Sequence, residues 1–188
     1  MYRAVGLAAR EQGIGLPIED PGKVAEIASA VRIGMTASPE GNRILLDGRD
    51  VSEEIRRPEI SLYASAVSAI PAVRRLLVQQ QQRLGRERGG VMEGRDIGTK
   101  VFPETPHKFF LTADASVRAQ RRTRELEARG TPQPYENVLR DMEKRDADDG
   151  SRADSPLTFD QRYVLVDSSG RPVAEVVSEI EGRVRGRI

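Results

Sequence analysis

The sequence contains no cysteine, and aromatic residues make up only 4% of it. Without cysteine, the chain has no disulfide framework, no thiolate ligand for a metal and no thiol nucleophile. Lys plus Arg, 30 residues, nearly cancel Asp plus Glu, 29 residues, so no global field attracts nucleic acid or an anionic membrane. No apolar run reaches the ~20 residues of a membrane span, and the N-terminal apolar stretch is too short for a secretion signal. We expect a cytoplasmic protein whose anion binding comes from local clusters.

Helical spacing of apolar residues alternates with short apolar runs along the 188 residues, which is about the length of one domain. The last predicted helix follows Pro172 and is expected to bury five apolar side chains, those of Val173, Val176, Val177, Ile180 and Val184. The other helices are predicted at 2–12, from Asp20-Pro21, from Pro58, from Pro71, and over 116–152 with a break at Gly130-Thr131-Pro132.

The short apolar runs predict two kinds of strand. The runs 31–37, 43–46 and 49–55 form a small antiparallel sheet, in which Asp47-Gly48 favours a tight hairpin. Three other runs are bounded by Gly, Pro and Asp, as buried parallel strands usually are. These runs are Val91-Met92, Lys108 to Thr112 and Tyr163 to Val166. Because helices separate them, the predicted class is α/β.

A Gly-flanked Arg95-Asp96 pair follows the strand predicted at 91–92. Ligands of open α/β sheets bind at the carboxyl ends of strands. Arginine offers a fork that matches phosphate, and aspartate can accept hydrogen bonds from a base or a sugar. The alternative is a turn with a surface ion pair, and the same three letters at 48–50 indicate that structural role inside the hairpin. The position at a strand end favours a functional role for Arg95 and Asp96.

A second charged cluster ends the helix that begins near Tyr135. Arg145, Asp149 and Arg152 fall on one helical face, where they could clamp phosphates and a ribose. A solvated charged helix is the competing interpretation, and it applies equally to the preceding residues Arg118, Arg121 and Arg122. Three other residues have ordinary structural interpretations: Ser65 as a small helix residue, Arg74 as an exposed cation and His107 as a histidine without a catalytic partner.

The order of the motifs resembles one family. The motifs are Tyr-Arg at 2–3, Leu-Asp-Gly-Arg-Asp-Val-Ser-Glu-Glu-Ile-Arg at 46–56, Ser-Ala-Val-Ser-Ala-Ile-Pro-Ala-Val-Arg at 65–74, Glu-Gly-Arg-Asp-Ile-Gly-Thr at 93–99, Val-Phe-Pro at 101–103, and Arg145-Asp146 with Asp149 and Arg152. Across the whole chain this combination is similar to bacterial cytidylate kinase, a nucleoside monophosphate kinase.

The resemblance implies a P-loop nucleoside-monophosphate-kinase-like fold, with a three-layer parallel sheet, a small antiparallel insertion and a helical lid. The implied domains are a core at 1–20, 85–115 and 153–188, a CMP-binding insertion at 21–84 and a lid at 116–152. The implied reaction transfers the γ-phosphate of ATP, with Mg²⁺, to CMP or dCMP. We expect a monomer that binds these nucleotides and neither nucleic acid nor a membrane.

The resemblance also implies roles for individual residues. By position, Ser65, Arg74 and Asp96 match residues that read cytosine, Arg145 and Asp149 match ribose contacts, and Arg3, Arg95 and Arg152 match phosphate contacts. Tyr2 would lie beside the sugar. The lid arginines Arg118, Arg121 and Arg122 would close over the phosphates and exclude water. Arg95, Arg145 and Arg152 are the expected catalytic cations.

One departure from the family pattern concerns the donor nucleotide. The family begins with a strand and a Gly-rich phosphate loop before Tyr-Arg, which here stands at residues 2 and 3. The only Gly-Lys is Gly22-Lys23, and Pro17 stands where the loop pattern requires glycine. Without such a loop, backbone donors, a lysine and a hydroxyl for Mg²⁺ are missing. We expect impaired turnover, on the hypothesis that the sequence starts at an internal methionine and lacks the family's first strand.

Two other functions stay open at the level of sequence. The first is a non-catalytic pyrimidine-nucleotide-binding or scaffold remnant, which binds CMP and ignores ATP. The second is binding of RNA through the arginine-rich stretch, which is disfavoured because acidic residues interleave the arginines and aromatic residues are scarce.

Overall fold

Helices and short strands make up the described residues of the chain. The computed structural model describes residues 1–38, 41–151 and 160–186, which form seven α-helices and five strands. They divide into two units, Met1–Val91 and Met92–Ile188. The first unit contains a three-stranded antiparallel sheet and the second a two-stranded parallel sheet, which confirms the predicted α/β class.

The first unit contains four helices. Three of them begin at the prolines from which a helix was predicted, Pro21, Pro58 and Pro71. Asp20 also caps the second helix, because its carboxylate accepts a hydrogen bond from the backbone N–H of Lys23 at 2.9 Å. No single helix in the described part of the chain is long and apolar enough to cross a membrane; the third and fourth satisfy that test only jointly, across a bend of 101°. The helices are α1 (Tyr2–Glu11), α2 (Pro21–Ala30), α3 (Pro58–Ser68) and α4 (Pro71–Arg88).

The antiparallel sheet lies between α2 and α3 in sequence and contains β1 (Ile33–Ser38), β2 (Gly41–Leu46) and β3 (Arg49–Asp50). β1 and β2 pair from Ile33 with Leu46 to Ser38 with Gly41. Asp47 and Gly48 form the predicted hairpin, and both have positive φ, 51° and 86°, as such a tight turn requires. The third run is shorter than predicted, since a 3₁₀ turn at Glu54–Arg56 replaces its second half.

Close packing of α1 on α3 holds the first unit together. Gly6 lies at this contact, and a Cβ atom placed there would stand 2.9 Å from the Cβ of Tyr63 and 3.1 Å from the backbone nitrogen of Ala64. Apolar residues of α1, α2, α3, α4 and the sheet fill the core around this contact. The fully or almost fully buried side chains there include Val5, Val24, Val51, Ile60, Val67, Val73 and Leu77.

Along the sequence of the second unit, two helices separate the two strands of the parallel sheet. β4 and β5 pair in parallel from Phe109 with Val164 to Thr112 with Asp167. A π-helical turn at Ile97–Val101 precedes β4. The helix break predicted near Gly130 is confirmed, because α5 and α6 are separate helices that pack on one another through Ala119, Leu126 and Val138. The elements are β4 (Phe109–Thr112), α5 (Ala115–Ala128), α6 (Tyr135–Ser151), β5 (Val164–Asp167) and α7 (Val173–Arg185).

Two predictions about elements that follow α4 are wrong. The strand expected at Val91-Met92 is irregular backbone, and Val91 is fully exposed. Two apolar residues beside Gly89 and Gly90, both of which adopt positive φ, are too short a run to form a strand. In α7, only Val176 of the five expected apolar residues is buried, while Val173 and Val177 are exposed.

The Gly6 contact gives a prediction about stability. Gly6→Ala should lower the free energy of unfolding of the first unit by about 1–3 kcal/mol, because the new methyl group overlaps two atoms of α3. Gly15→Ala is the matched control, since no atom lies within 4 Å of its added Cβ and its φ is not positive. Urea denaturation followed by circular dichroism measures both variants. Equal stability of the two variants would contradict the close α1–α3 contact.

Candidate functional site

Arg74 is the most informative side chain of the first unit, because it is buried. The sequence suggested an exposed cation, but only 5% of the residue is accessible, so that prediction is wrong. Its Nη1 donates a hydrogen bond to the backbone carbonyl of Ser68 at 3.1 Å. Ser68 is the last residue of α3, where carbonyls lack helical partners and a cation is favoured by the helix dipole. The turn between α3 and α4 therefore directs Arg74 inward.

Three other predicted residues lie on the elements around Arg74 in the first unit. The guanidinium carbon of Arg74 lies 5.9 Å from the centroid of the Tyr2 ring, within the range of a cation–π contact. Ser65 is half-buried one turn before the end of α3, and its carbonyl accepts a hydrogen bond from the Ser68 hydroxyl at 2.7 Å. Arg3 is engaged elsewhere in the same unit, because its Nη1 donates to the carbonyl of Ile55 at 2.8 Å. An aromatic face and a fixed fork of donors are thus held side by side, an arrangement that can bind a planar heterocycle.

In the second unit, a buried carboxylate gathers arginines from different segments. Asp149 is 1% exposed, and its Oδ2 lies 3.1 Å from Nε of Arg95 and 3.9 Å from Nε of Arg145. The predicted alignment of positions 145 and 149 on one helical face is confirmed. Arg152, the third residue of that predicted face, lies outside the described residues. Two cations are held by one buried anion, so their positions are fixed before any ligand binds.

Asp146 belongs to this cluster, although the sequence analysis gave it no role. Its Oδ2 lies 2.7 Å from Nη2 of Arg118, and its Oδ1 lies 4.0 Å from Nη1 of Arg95. Asp146 and Asp149 are three residues apart in α6 and therefore share a face, which is the signal that could have identified it. Arg118 also donates through Nε to the carbonyl of Ala113 at 2.9 Å. Asp146 thus links α5, α6 and the segment before the π-helical turn.

The two other predicted lid arginines do not join the Asp146–Asp149 cluster. Arg121 donates to the hydroxyl of Ser168 at 3.0 Å and to its carbonyl at 2.6 Å, just beyond the carboxyl end of β5. Arg122 pairs with Glu125 at 2.7 Å within α5. In this arrangement Arg121 ties α5 to the end of β5, whereas Arg122 supports its own helix.

Asp96 is 4% exposed and lies immediately before the π-helical turn. Its carbonyl accepts hydrogen bonds from the backbone N–H of Lys100 at 2.8 Å and of Val101 at 3.3 Å. Because residues 91–92 are not a strand, the premise that Arg95 and Asp96 follow a strand end is wrong. The π-helical turn holds Asp96 instead, and such turns are frequent at functional sites.

The repeated Gly-Arg-Asp at 48–50 has contacts of a different kind. Arg49 pairs with Glu11 at 2.6 Å and with Glu54 at 2.9 Å, and these hydrogen bonds raise the pKa of its guanidinium. The Asp50 carboxylate accepts hydrogen bonds from the hydroxyl and backbone N–H of Ser52, which lower the pKa of Asp50. These contacts stabilise the hairpin and attach it to α1, which is the structural role expected for this copy.

The residues present do not fit the phosphates of a donor nucleotide at Gly22-Lys23. The Asp20 carboxylate occupies the N-terminus of α2, where it accepts from the backbone N–H of Lys23, and the Lys23 ammonium pairs with Glu26 at 3.3 Å. Across residues 1–38, 41–151 and 160–186, no group of three or more His, Cys, Asp or Glu side chains could hold a metal ion.

Comparisons with known proteins point to one family. The family model described as cytidylate kinase matches residues 1–185. A cytidylate kinase of Caldanaerobacter subterraneus is 43% identical over 185 residues, which cover 98% of this chain and 80% of that protein. A cytidylate kinase of Desulforamulus reducens is 44% identical over 180 residues, with coverage of 96% and 80%. A bifunctional pantoate ligase/cytidylate kinase of a Synechococcus strain is 39% identical over 183 residues, which cover 96% of this chain and 33% of that protein.

The buried carboxylate of α6 gives a second prediction. Asp149→Asn should lower the free energy of unfolding of the second unit by about 1–3 kcal/mol, because Arg95 and Arg145 lose the charge that holds them. Asp148→Asn, at the exposed neighbouring position, removes the same charge and is the control. Urea titrations compare the two variants. An Asp149→Asn protein as stable as the control would show that the buried ion pairs contribute nothing.

Proposed function

Because the chain belongs to the cytidylate kinase family, we propose that it phosphorylates CMP or dCMP with ATP as the donor. A phosphate oxygen of the acceptor bonds to the γ-phosphorus of ATP as the bond to the ADP oxygen breaks, giving CDP or dCDP and ADP. The single observation that carries the proposal is the buried Arg74 beside the ring of Tyr2, within a chain that matches the family over residues 1–185.

In the first unit, the proposed role of Arg74 and Ser65 is to read the cytosine base. A guanidinium presents donors in a rigid plane, which suits the carbonyl oxygen and ring nitrogen of cytosine. Burial supports this role, since a fork held by Ser68 and packed near Tyr2 loses little conformational entropy when a base arrives. Tyr2 would lie beside the sugar, and Arg3 would contact a phosphate.

In the second unit, carboxylates are proposed to contact the nucleotide and arginines to stabilise the charge of the transferring phosphoryl group. Asp96 accepts hydrogen bonds from cytosine, and Arg145 and Asp149 contact the ribose. Arg95, Arg145 and Arg152 supply positive charge where negative charge spreads over the transferring phosphoryl group. The ion pairs of Asp149 with Arg95 and Arg145 support this assignment, because cations fixed in advance need no reorganisation during the reaction. Arg118, Arg121 and Arg122 are proposed to contact phosphates from the lid.

The remaining features of the proposal come from the family. We expect ATP as the phosphate donor and Mg²⁺ as the accompanying cation, which supplies charge neutralisation when bound. We also expect a cytoplasmic monomer, with the core, insertion and lid boundaries that the family resemblance implies.

The second candidate function is binding of pyrimidine nucleotides without phosphoryl transfer. It is favoured by the geometry at Gly22-Lys23. There Asp20 accepts the backbone N–H of Lys23 and Glu26 pairs with the Lys23 ammonium group, so both groups that could bind a phosphate already have partners. A protein of this kind would bind CMP through Arg74 and show no CMP-dependent hydrolysis or transfer from ATP.

A matched pair of arginines tests the proposed function. Arg74→Ala should weaken CMP binding about tenfold or more in calorimetry, because a charged hydrogen bond to the base is lost. Arg75→Ala removes an identical side chain from the exposed neighbouring position and should leave the affinity unchanged. Circular dichroism confirms that both variants fold.

A coupled assay for CMP-dependent ADP formation separates the two candidate functions. Binding of CMP together with turnover supports the kinase, and binding without turnover supports the nucleotide-binding protein. Equal affinities of the two arginine variants for CMP, or no CMP binding by the unaltered chain, would contradict the proposed base site.

A further inference from the structure

The two carboxylates of α6 that pair with arginines differ in their exposure to solvent. Only 1% of the Asp149 side chain is exposed, whereas 32% of the Asp146 side chain is exposed. A buried carboxylate that loses its cation is left uncompensated inside the protein, which is strongly destabilising. A partly exposed carboxylate that loses its cation is rehydrated, and ion pairs of this kind contribute little net free energy. Asp146 therefore releases an arginine far more readily than Asp149 does.

The contacts of Arg118 allow it to change partners. Its Nη2 lies 2.7 Å from Oδ2 of Asp146, and its Nε donates to the carbonyl of Ala113 at 2.9 Å. Ala113 is 8% exposed and comes directly after β4. A guanidinium presents several N–H donors in one plane, so Nε can keep its backbone acceptor while Nη2 binds another anion. Arg118 can thus exchange Asp146 for a ligand without a large movement of its side chain.

Arg95 approaches the same carboxylate from another segment of the second unit. Its Nη1 lies 4.0 Å from Oδ1 of Asp146, while its Nε lies 3.1 Å from Oδ2 of Asp149. Each oxygen atom of Asp146 thus lies near a different guanidinium, that of Arg95 or that of Arg118. Arginine binds phosphate and carboxylate in the same manner, through N–H groups directed at separate oxygen atoms. A phosphate can therefore replace the Asp146 carboxylate beside these arginines.

We propose that Asp146 is a positioning residue that acts through Arg118: its carboxylate holds the guanidinium before a nucleotide binds, and a nucleotide phosphate then takes its place. This inference rests on the proposed function, in which Arg118 contacts a phosphate from the lid. The carboxylate competes with the phosphate for Arg118 and also repels it, and both effects weaken phosphate binding. Asp146 thereby limits the affinity for the phosphorylated product, which favours the release of CDP.

The sign of the effect on phosphate affinity distinguishes this exchange from fixed support. If Asp146 only fixed Arg118 in place, its loss would leave the arginine less well oriented and would weaken phosphate binding. Exchange predicts stronger phosphate binding, because the phosphate no longer displaces an anion and no longer meets its negative charge. The exposure of Asp146 favours exchange, since a partly exposed ion pair is broken at little cost in free energy.

Calorimetry with cytidine and CDP tests the exchange. Cytidine has no phosphate, whereas CDP carries both the acceptor phosphate and the transferred one, so the ratio of CDP to cytidine affinity measures phosphate recognition. Asp146→Asn keeps the size of the side chain and removes its charge. It should raise this ratio about two- to fivefold, the effect of one partly exposed ion pair.

Arg118→Gln completes a double-mutant cycle, and Asp148→Asn is the matched control. In the Arg118→Gln background, Asp146→Asn should raise the ratio by a smaller factor, because only the repulsion between carboxylate and phosphate is removed. Asp148 is exposed and lies two residues further along α6, on a different face, so Asp148→Asn should leave the ratio almost unaltered. A general loss of folding weakens binding of cytidine and CDP equally and leaves the ratio unchanged.

Three results would overturn the inference. One is a lower or constant ratio in Asp146→Asn, which means that the carboxylate is a fixed support or has no role. Another is a general charge effect, seen as equal rises with and without Arg118 or as an equal rise in Asp148→Asn. Both leave the proposed function intact when the unaltered chain binds CDP more tightly than cytidine. The third is an unaltered chain that binds neither ligand or binds both equally, in which case the proposed function fails as well.

Discussion

The candidate base site in the first unit depends on one interaction, the hydrogen bond between the buried guanidinium of Arg74 and the last carbonyl of α3. A guanidinium cannot lose its charge in a protein, so its burial is costly unless fixed acceptors surround it. The end of α3 supplies such acceptors, because its carbonyls have no partners within the helix. Pro71 starts α4 three residues after Ser68, and this short turn brings Arg74 back to that helix end. The same contact thus ends one helix, orients the next and fixes a cation in the core.

The second unit also contains a buried charge that needs compensation, but there the buried group is an anion. Here a carboxylate, that of Asp149, is almost completely buried, and arginines from α6 and from the segment before the π-helical turn compensate its charge. Asp146 extends this arrangement to Arg118 of α5. Cations that are already fixed stabilise developing negative charge better than mobile ones, because they need not reorganise. Ion pairing in the absence of a ligand is therefore compatible with phosphoryl transfer as well as with stability.

The sequence predicted the elements whose signals are local. Pro21, Pro58 and Pro71 identified helix starts, and Asp47-Gly48 identified the hairpin, because both signals act through backbone geometry alone. Predictions that depended on tertiary contacts were less successful. A strand at Val91-Met92 needs a partner strand, and burial on α7 depends on what packs against it. The sequence could not supply either of these.

In the candidate site too, residues with local sequence signals were predicted and those that depend on tertiary contacts were not. The pair Arg145 and Asp149 follows from helical spacing, and Arg95 and Asp96 follow from a motif. The burial of Arg74 escaped sequence analysis because it results from the angle between two helices.

The most direct measurement is a crystal structure of the chain with CMP bound. We expect the guanidinium of Arg74 to lie about 3 Å from an acceptor atom of the cytosine ring, at hydrogen-bond distance, with the ring of Tyr2 beside the sugar. A structure in which CMP binds with its base remote from Arg74 would contradict the central claim that this buried arginine reads the nucleotide.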